Sequence, residues 1–372
     1  MINRELIRLK VVQLAYAHYV NGDYKLDVAE QELFFSLSKS YDLYLYMLEL
    51  LVEVNHIAER AVETATNRYL RLKEGERPST KFIDNKFIAQ LESNHQLRDF
   101  IDNQKKTWVE EEDFVRRLYK RIAESDIYKE YMLADTETTY EQDRDLWRDI
   151  YRKIIVEDEE LDQLLEDKSL YWNDDRFIID TFVLKTIKQF DHKRGASQPL
   201  LEEFREEEDR EFARRLFRAT MLSWSTYRNI VVQFLQNWEI ERMATMDIVI
   251  LEAALAEVFT FSQIPPSVTI NEYVEIAKAY STPRSGGYIN GLLDAIVRWL
   301  IDEGKLKKTM PERRQRQPRA DTDTHDGADD IDPHGDTDAT AAKATDTHAA
   351  NQADIPASTQ TEAGTQAAAD DK

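Results

Sequence analysis

The stretch IPPSVTINEYVEIAKAYSTPRSGGYINGLL, residues 264–293, decides the fold of this chain. The paired prolines at its start, Pro265 and Pro266, cannot continue a preceding helix, so the chain must turn there. Apolar residues then recur at intervals of three and four, which predicts an amphipathic helix that ends near Ser281, ahead of Pro283. After a glycine pair the same spacing resumes. The stretch therefore predicts two packed helices joined by a short loop.

Two local details sharpen this prediction. Thr269 and Glu272 are three residues apart, which is the spacing of a capping box at the start of the first helix. Gly291 lies inside the second helix, where glycine costs roughly 1 kcal/mol relative to alanine. We expect a close helix crossing to require that glycine.

The composition favours long helices. The chain has 372 residues, of which 42% are hydrophobic and 32% charged, with only 10 glycines and 9 prolines. Few turn-forming residues leave most of the chain free to continue regular structure. The periodicity predicts helices over residues 4–20, 30–73, 82–91, 108–123, 140–156, 159–170, 176–190, 202–238 and 238–257.

Charge and cysteine usage exclude several classes of protein. The formal net charge of −22 argues against strong unaided binding to nucleic acid, because phosphate contacts need Lys or Arg. A local basic strip remains compatible with it. The chain has no cysteine, which excludes disulfides, thiolate catalysis and Cys-ligated zinc. No apolar run resembles a signal peptide or a membrane span, so we expect a cytoplasmic protein without membrane contact.

No pattern indicates catalysis. The seven histidines are scattered, and acidic runs such as residues 158–160 spread around a helix instead of converging. There is no Walker loop, no GxGxxG and no GxSxG. We therefore expect a protein that is not an enzyme and that holds no metal or cofactor.

The opening stretch resembles the late signature of the bacterial transcription antitermination factor NusB family. That signature is a proline-containing turn, an I-N-E-x-V/I-E-x-A-K helix, a Ser-containing loop and F/Y-x-N-G-x-L-D. The corresponding residues here are Ile264-Pro265, Ile270 to Lys278, Ser285, and Tyr288 to Asp294. The first helix also resembles the family at Arg8, Val12-Gln13-Leu14 and Tyr16. A later helix resembles it at Asp247, Ile250, Leu251, Ala254 and Glu257, with Glu252 replacing the family's arginine.

The resemblance implies an all-α fold, a NusB-like bundle of two packed helical subdomains carrying a large helical insertion. It divides the chain into N-terminal NusB-like helices (1–75), a lineage-specific helical insertion (76–200), a C-terminal NusB-like half (201–306) and a disordered acidic Ala/Thr/Asp-rich tail (307–372). Whether the insertion is a separate domain stays open. A basic run at 312–319 is either a solvated hinge or a flexible contact for RNA.

The resemblance also implies a function in transcription antitermination. The family binds boxA RNA, above all in ribosomal RNA leaders, together with the ribosomal protein NusE, and the complex acts on elongating RNA polymerase. The residues implied in RNA binding are Arg4, Arg8, Lys10, Gln13, Tyr16, Arg284, Ser285 and Tyr288. Those implied at the protein-partner surface, or as its structural supports, are Asp247 and Glu257.

Several of these roles have alternatives. Gln13 and Tyr16 fit packing as well as RNA contact, and Tyr288 fits a core aromatic as well as a base-stacking one. Gly287 stands where the family often has lysine, and Arg284 in the same loop is a candidate replacement for that cation. Two other functions stay open: a ribosome-assembly scaffold with weak RNA binding, and a purely structural helical adaptor.

Overall fold

The computed structural model describes residues 1–22, 25–68, 78–105, 107–134, 137–172, 174–235 and 243–310, most of which lie in α-helices. The α-helices are α1 (Arg4–Asn21), α2 (Leu26–Arg68), α3 (Lys86–Glu92), α4 (His95–Asn103), α5 (Glu112–Glu124), α6 (Asp126–Leu133), α7 (Tyr140–Ile150), α8 (Glu159–Lys168), α9 (Arg176–Gln189), α10 (Glu207–Phe234), α11 (Thr245–Thr260), α12 (Pro266–Tyr280) and α13 (Ser285–Asp302). Short 3-10 turns occur at Trp108–Glu111 and His192–Ser197, and a π-helical turn at Tyr151–Ile155. No strand occurs in the described ranges, where the one β-bridge joins Ile2 to Phe204. The predicted all-α class is confirmed.

Helices α10 to α13 form a bundle on which α1 packs. Helix α11 is buried around most of its circumference, from Asp247 to Val258, so it forms the centre of this bundle. The Asn3 side chain starts α1 by accepting a hydrogen bond from the Leu6 amide at 2.9 Å. The bundle thus brings α1 against both α10 and α11.

Helix α2 is 43 residues long and connects this bundle to the insertion. Its first part meets α1 and α10, and further along it packs against α3, α4, α5 and α9. Trp108 stacks on Tyr46 of α2 with ring centroids 4.2 Å apart, and its indole nitrogen donates to the Tyr46 carbonyl at 2.8 Å. Because the insertion shares α2 with the bundle, residues 1–313 cluster as one compact unit, which argues against a separate insertion domain.

The corner formed by α12 and α13 differs from the sequence prediction in two details. Helix α12 begins at Pro266, so Thr269 lies within its first turn and no capping box forms. The Thr269 hydroxyl donates instead to Glu257 at 2.8 Å. A Cβ added at Gly291 would meet no atom within 4 Å, so the close crossing expected there is wrong. The close approach occurs at Gly286, where an added Cβ would lie 2.8 Å from Lys278 Cγ.

Some other predicted segments differ from the structure or lie outside the described residues. The predicted loop at 192–199 contains the short 3-10 turn. The predicted basic run at 312–319 and the disordered tail beyond residue 310 lie outside the described residues. The segment 307–310, assigned to that tail, is described, and Lys308 Nζ donates to the Phe261 and Ile264 carbonyls at 2.7 and 3.0 Å.

Candidate functional site

A buried carboxylate holds the loop between α12 and α13 in place. Asp247, near the start of α11, accepts a hydrogen bond from Ser281 Oγ at 2.6 Å and one from Ser285 Oγ at 2.9 Å. Ser285 also accepts a bond from the Thr282 amide at 3.2 Å. Asp247 and Ser285 are both buried. The carboxylate therefore accepts hydrogen bonds from hydroxyls at both ends of the loop, and a buried acid requires such donors.

The outer side of this loop presents a cation beside an aromatic ring. Arg284 is exposed and makes no ion pair with any residue the structure describes. Tyr288, in the first turn of α13, is 39% exposed, and its hydroxyl lies 3.9 Å from the sulfur of Met243. Burial, together with the charge of Asp247, raises the pKa of Tyr288, so the phenol stays neutral. The loop thus offers an open guanidinium and a partly open ring on a fixed support.

Arg8 forms a deeply buried ion-pair cluster inside the bundle. Its Nε and Nη2 lie 2.7 and 3.0 Å from the two carboxylate oxygens of Glu257, and its Nη1 lies 2.9 Å from Glu272. Burial opposes its charge, but the hydrogen bonds to Glu257 raise the pKa of Arg8 above its usual value. Arg8 is 4% exposed and Glu257 is fully buried. The expected phosphate contact of Arg8 and partner contact of Glu257 do not fit this geometry, because both groups bind each other inside the bundle.

Lys10 and Gln13 are held by the segment that joins α8 to α9. Lys10 Nζ lies 2.8 Å from Asp175 and donates to the Tyr171 carbonyl at 2.9 Å. Gln13 Nε2 donates to Asp174 at 2.9 Å. Lys10 is buried, so its expected RNA contact is also at odds with the structure. The partners of Lys10 and Gln13 could not be predicted from the sequence because they lie more than 160 residues away along the chain.

The remaining predicted residues divide between packing and exposure. Tyr16 is half-buried beside Tyr280 and Met246. Arg4 keeps an exposed side chain, 3.5 Å from Asp209, and lies over the Phe212 ring. Ser285 and Asp247 are internal supports and not contact surfaces, because both are buried and bonded to each other. The structure brings Arg284, Ser285 and Tyr288 together, and it places Arg4 on a different part of the bundle surface.

Within the described ranges, no group of three or more histidine or acidic side chains is placed to hold a metal ion. None of the helices described here combines the length and apolar character needed to cross a membrane.

Comparison with known proteins identifies the family. The family model described as NusB family matches residues 178–298. The match therefore begins in α9, inside the 76–200 segment that the sequence assigned to the insertion. A solved structure of NusB from T. maritima is 31% identical, covers 32% of this chain and 82% of its own, and has a TM-score of 0.25.

Curated relatives show how much of a family member's length this chain covers. The transcription antitermination protein NusB of Salinibacter ruber is 45% identical over 100 residues, which are 27% of this chain and 62% of that protein. This chain therefore spans slightly less than two thirds of that relative. The Geobacter sulfurreducens protein of the same name is 36% identical over 127 residues, which are 32% of this chain and 92% of that relative. The chain described here belongs to the NusB family.

Proposed function

We propose that this chain is a transcription antitermination factor that binds boxA-type single-stranded RNA together with the ribosomal protein NusE and supports ribosomal RNA transcription. It reaches the RNA polymerase elongation complex indirectly, through that RNA and partner. The curated relatives carry the name transcription antitermination protein. Their similarity, together with the signature at 264–293, supports the general role.

The observation that best supports RNA binding is the loop between α12 and α13. Arg284 supplies an unpaired cation for a phosphate, and the partly exposed ring of Tyr288 supplies a surface on which a base can stack. The bonds from Ser281 and Ser285 to Asp247 fix the loop before any ligand arrives. A preordered site binds at a lower entropic cost than a flexible one.

The partner is needed because the chain itself supplies few free cations at this site. Arg8 and Lys10 are neutralised inside the bundle, and the whole chain carries a net charge of −22. Phosphate contacts dominate the affinity for nucleic acid. We therefore expect weak RNA binding by the chain alone and strong binding once NusE adds its own contacts.

A mobility-shift titration with a boxA-like oligoribonucleotide, with and without NusE, tests this function. Arg284→Glu should weaken the ternary complex and reduce its salt dependence by about one phosphate contact. The control is Arg116→Glu, which reverses another exposed arginine, on α5, that pairs with Glu112. No shift with NusE present, or an unchanged salt slope for Arg284→Glu, would contradict the proposal.

One observation favours a second candidate function. The burial of Arg8 and Lys10 removes two cations from the RNA surface that the family resemblance implies. A ribosome-assembly or adaptor protein that keeps its protein partner but binds RNA weakly would have this property. Binding to NusE without any RNA shift, at low salt, would favour that alternative.

A further inference from the structure

Two acid-free segments of this acidic chain lie side by side in the fold. They are residues 6–22 and residues 212–235, although the chain has 71 Asp and Glu residues in total. The first forms most of α1 and the second forms most of α10, and these two helices pack against each other. Carboxylates of neighbouring helices reach these two helices, and each of them lies against a basic side chain: Glu32 of α2 is 3.6 Å from His18, and Glu30 of α2 is 3.1 Å from Arg214.

Two exposed aromatic rings flank an arginine where α1 meets α10. The Arg228 guanidinium lies 4.8 Å from the centroid of Tyr19 and 4.8 Å from that of Trp224. Tyr19 is 40% and Trp224 is 41% exposed. The guanidinium therefore covers one side of each ring, and both rings keep part of their surface open to solvent.

A buried carboxylate fixes the arginine in this position. Arg228 Nε lies 2.9 Å from Glu252 of α11, which is 3% exposed. Glu252 stands where the family resemblance implies an arginine, and the cation that pairs with it lies on α10. Glu252 compensates part of the charge of Arg228, and the cluster presents two aromatic rings beside that single guanidinium, a combination that suits a nucleobase.

We infer that Tyr19, Arg228 and Trp224 form a stacking site for an unpaired base of single-stranded RNA, distinct from the loop that carries Arg284 and Tyr288. The inference rests on the proposed function, since the ligand is the same RNA. Tyr19 lies three residues beyond Tyr16 on α1. The cluster uses the face of each ring and needs no base-edge hydrogen bonds, so it tolerates any base.

The test uses Trp224→Ala in the ternary complex of the full chain, NusE and a boxA-like oligoribonucleotide. Loss of one stacked base should weaken RNA binding by about tenfold. Trp224→Phe should restore most of the affinity. The matched control is Leu222→Ala, two residues earlier on α10 and 65% exposed, which should leave RNA affinity unchanged.

Abasic substitution then identifies the contact. Oligoribonucleotides in which one base at a time is removed should include one for which Trp224→Ala has no further effect, because its stacking partner is already absent. The other abasic RNAs should still show the loss of about tenfold.

The outcomes separate this inference from the proposed function. If Trp224→Ala matches Leu222→Ala while Arg284→Glu is impaired, the stacking site is overturned and the function stands. If Trp224→Ala weakens NusE binding in the absence of RNA, the surface belongs to a protein partner and the inference fails. If the unaltered chain shifts no RNA even with NusE, the proposed function fails, and the stacking site fails with it.

Discussion

The family bundle and the insertion each bury a glutamate, but they surround it differently. Glu257 of α11 accepts hydrogen bonds from two nitrogens of Arg8, at 2.7 and 3.0 Å, and from the Thr269 hydroxyl at 2.8 Å. Glu49 of α2, where the insertion packs, accepts one from the neutral amide of Gln104 at 2.5 Å. Burial raises the pKa of Glu49 to about 7, an effect that the Gln104 hydrogen bond opposes.

The difference shows that the number and charge of the hydrogen-bond donors decide whether a buried acid stays ionised or takes up a proton. A carboxylate held by a bidentate guanidinium has its charge compensated, so removing the arginine leaves an uncompensated buried charge. A carboxylate held by one amide can instead take up a proton. Glu252 lies between these cases: it has Arg228 as a partner, yet burial still raises its pKa to about 7. The bundle should therefore be sensitive to mutation, and the insertion side of α2 should be sensitive to pH.

The largest expected effect is that of removing the bundle's central cation. Arg8→Ala should lower the free energy of unfolding by about 3–5 kcal/mol, because Glu257 would remain buried without its guanidinium. Urea denaturation followed by circular dichroism measures this loss. Arg4→Ala, at an exposed arginine 3.5 Å from Asp209, is the control and should cost less than about 1 kcal/mol. Equal effects for the two variants would show that the buried pair is not compensated as described.

An intermediate effect is expected from the pH dependence of Glu49. Its pKa rises from 4.5 in the unfolded chain to about 7 in the folded protein, so the folded state binds a proton that the unfolded state has released. This contribution to stability is present in full below pH 4.5 and is lost as the pH rises through 7. Glu49→Gln removes the titration and should stabilise the protein by about 2–3 kcal/mol at pH 8, with little effect near pH 4.5.

Thermal or urea unfolding of both proteins between pH 4.5 and pH 8 measures that difference. Glu63→Gln changes an exposed residue of the same helix and is the control, for which no pH-dependent difference is expected. Glu252 should leave some pH dependence in the Glu49→Gln variant. Parallel curves for Glu49→Gln and the unaltered protein would show that Glu49 stays ionised in the folded state.

Sequence predicted most of the helices because periodicity and turn residues are local signals, but it missed the short helices α4 and α6. The end of α12 at Tyr280, ahead of Pro283, follows directly from the chain, as does the 43-residue α2 in outline. The signature at 264–293 predicted the family. The predicted capping box at Thr269 was wrong because α12 begins earlier, at Pro266, and proline is a favourable first residue of a helix. In the folded protein the Thr269 hydroxyl donates a hydrogen bond to Glu257 instead.

The candidate site was predicted only in part because burial depends on contacts distant in sequence. Arg284 and Tyr288 are exposed, and the resemblance alone named them. The placement of Arg8 required Glu257, which is 249 residues away. The pair formed by Lys10 and Asp175 likewise depends on how the insertion returns to α1. A motif gives the residue type at a position, but the partners that neutralise it come from the rest of the fold.

The smallest expected effect compares two glycines of α13, at which the same substitution should change stability by different amounts. A Cβ at Gly291 meets open space, so Gly291→Ala should stabilise the folded protein by about 0.5–1 kcal/mol through higher helix propensity. A Cβ at Gly286 would lie 2.8 Å from Lys278 Cγ, so Gly286→Ala must move that side chain or the loop that carries Arg284. It should therefore be the less stable of the two variants by about 1 kcal/mol. The difference in urea midpoint measures this difference in stability, and equal midpoints would mean that Lys278 moves away without cost.

Because the loop next to Gly286 is the proposed RNA contact, Gly286→Ala should also weaken RNA binding, whereas Gly291→Ala should not.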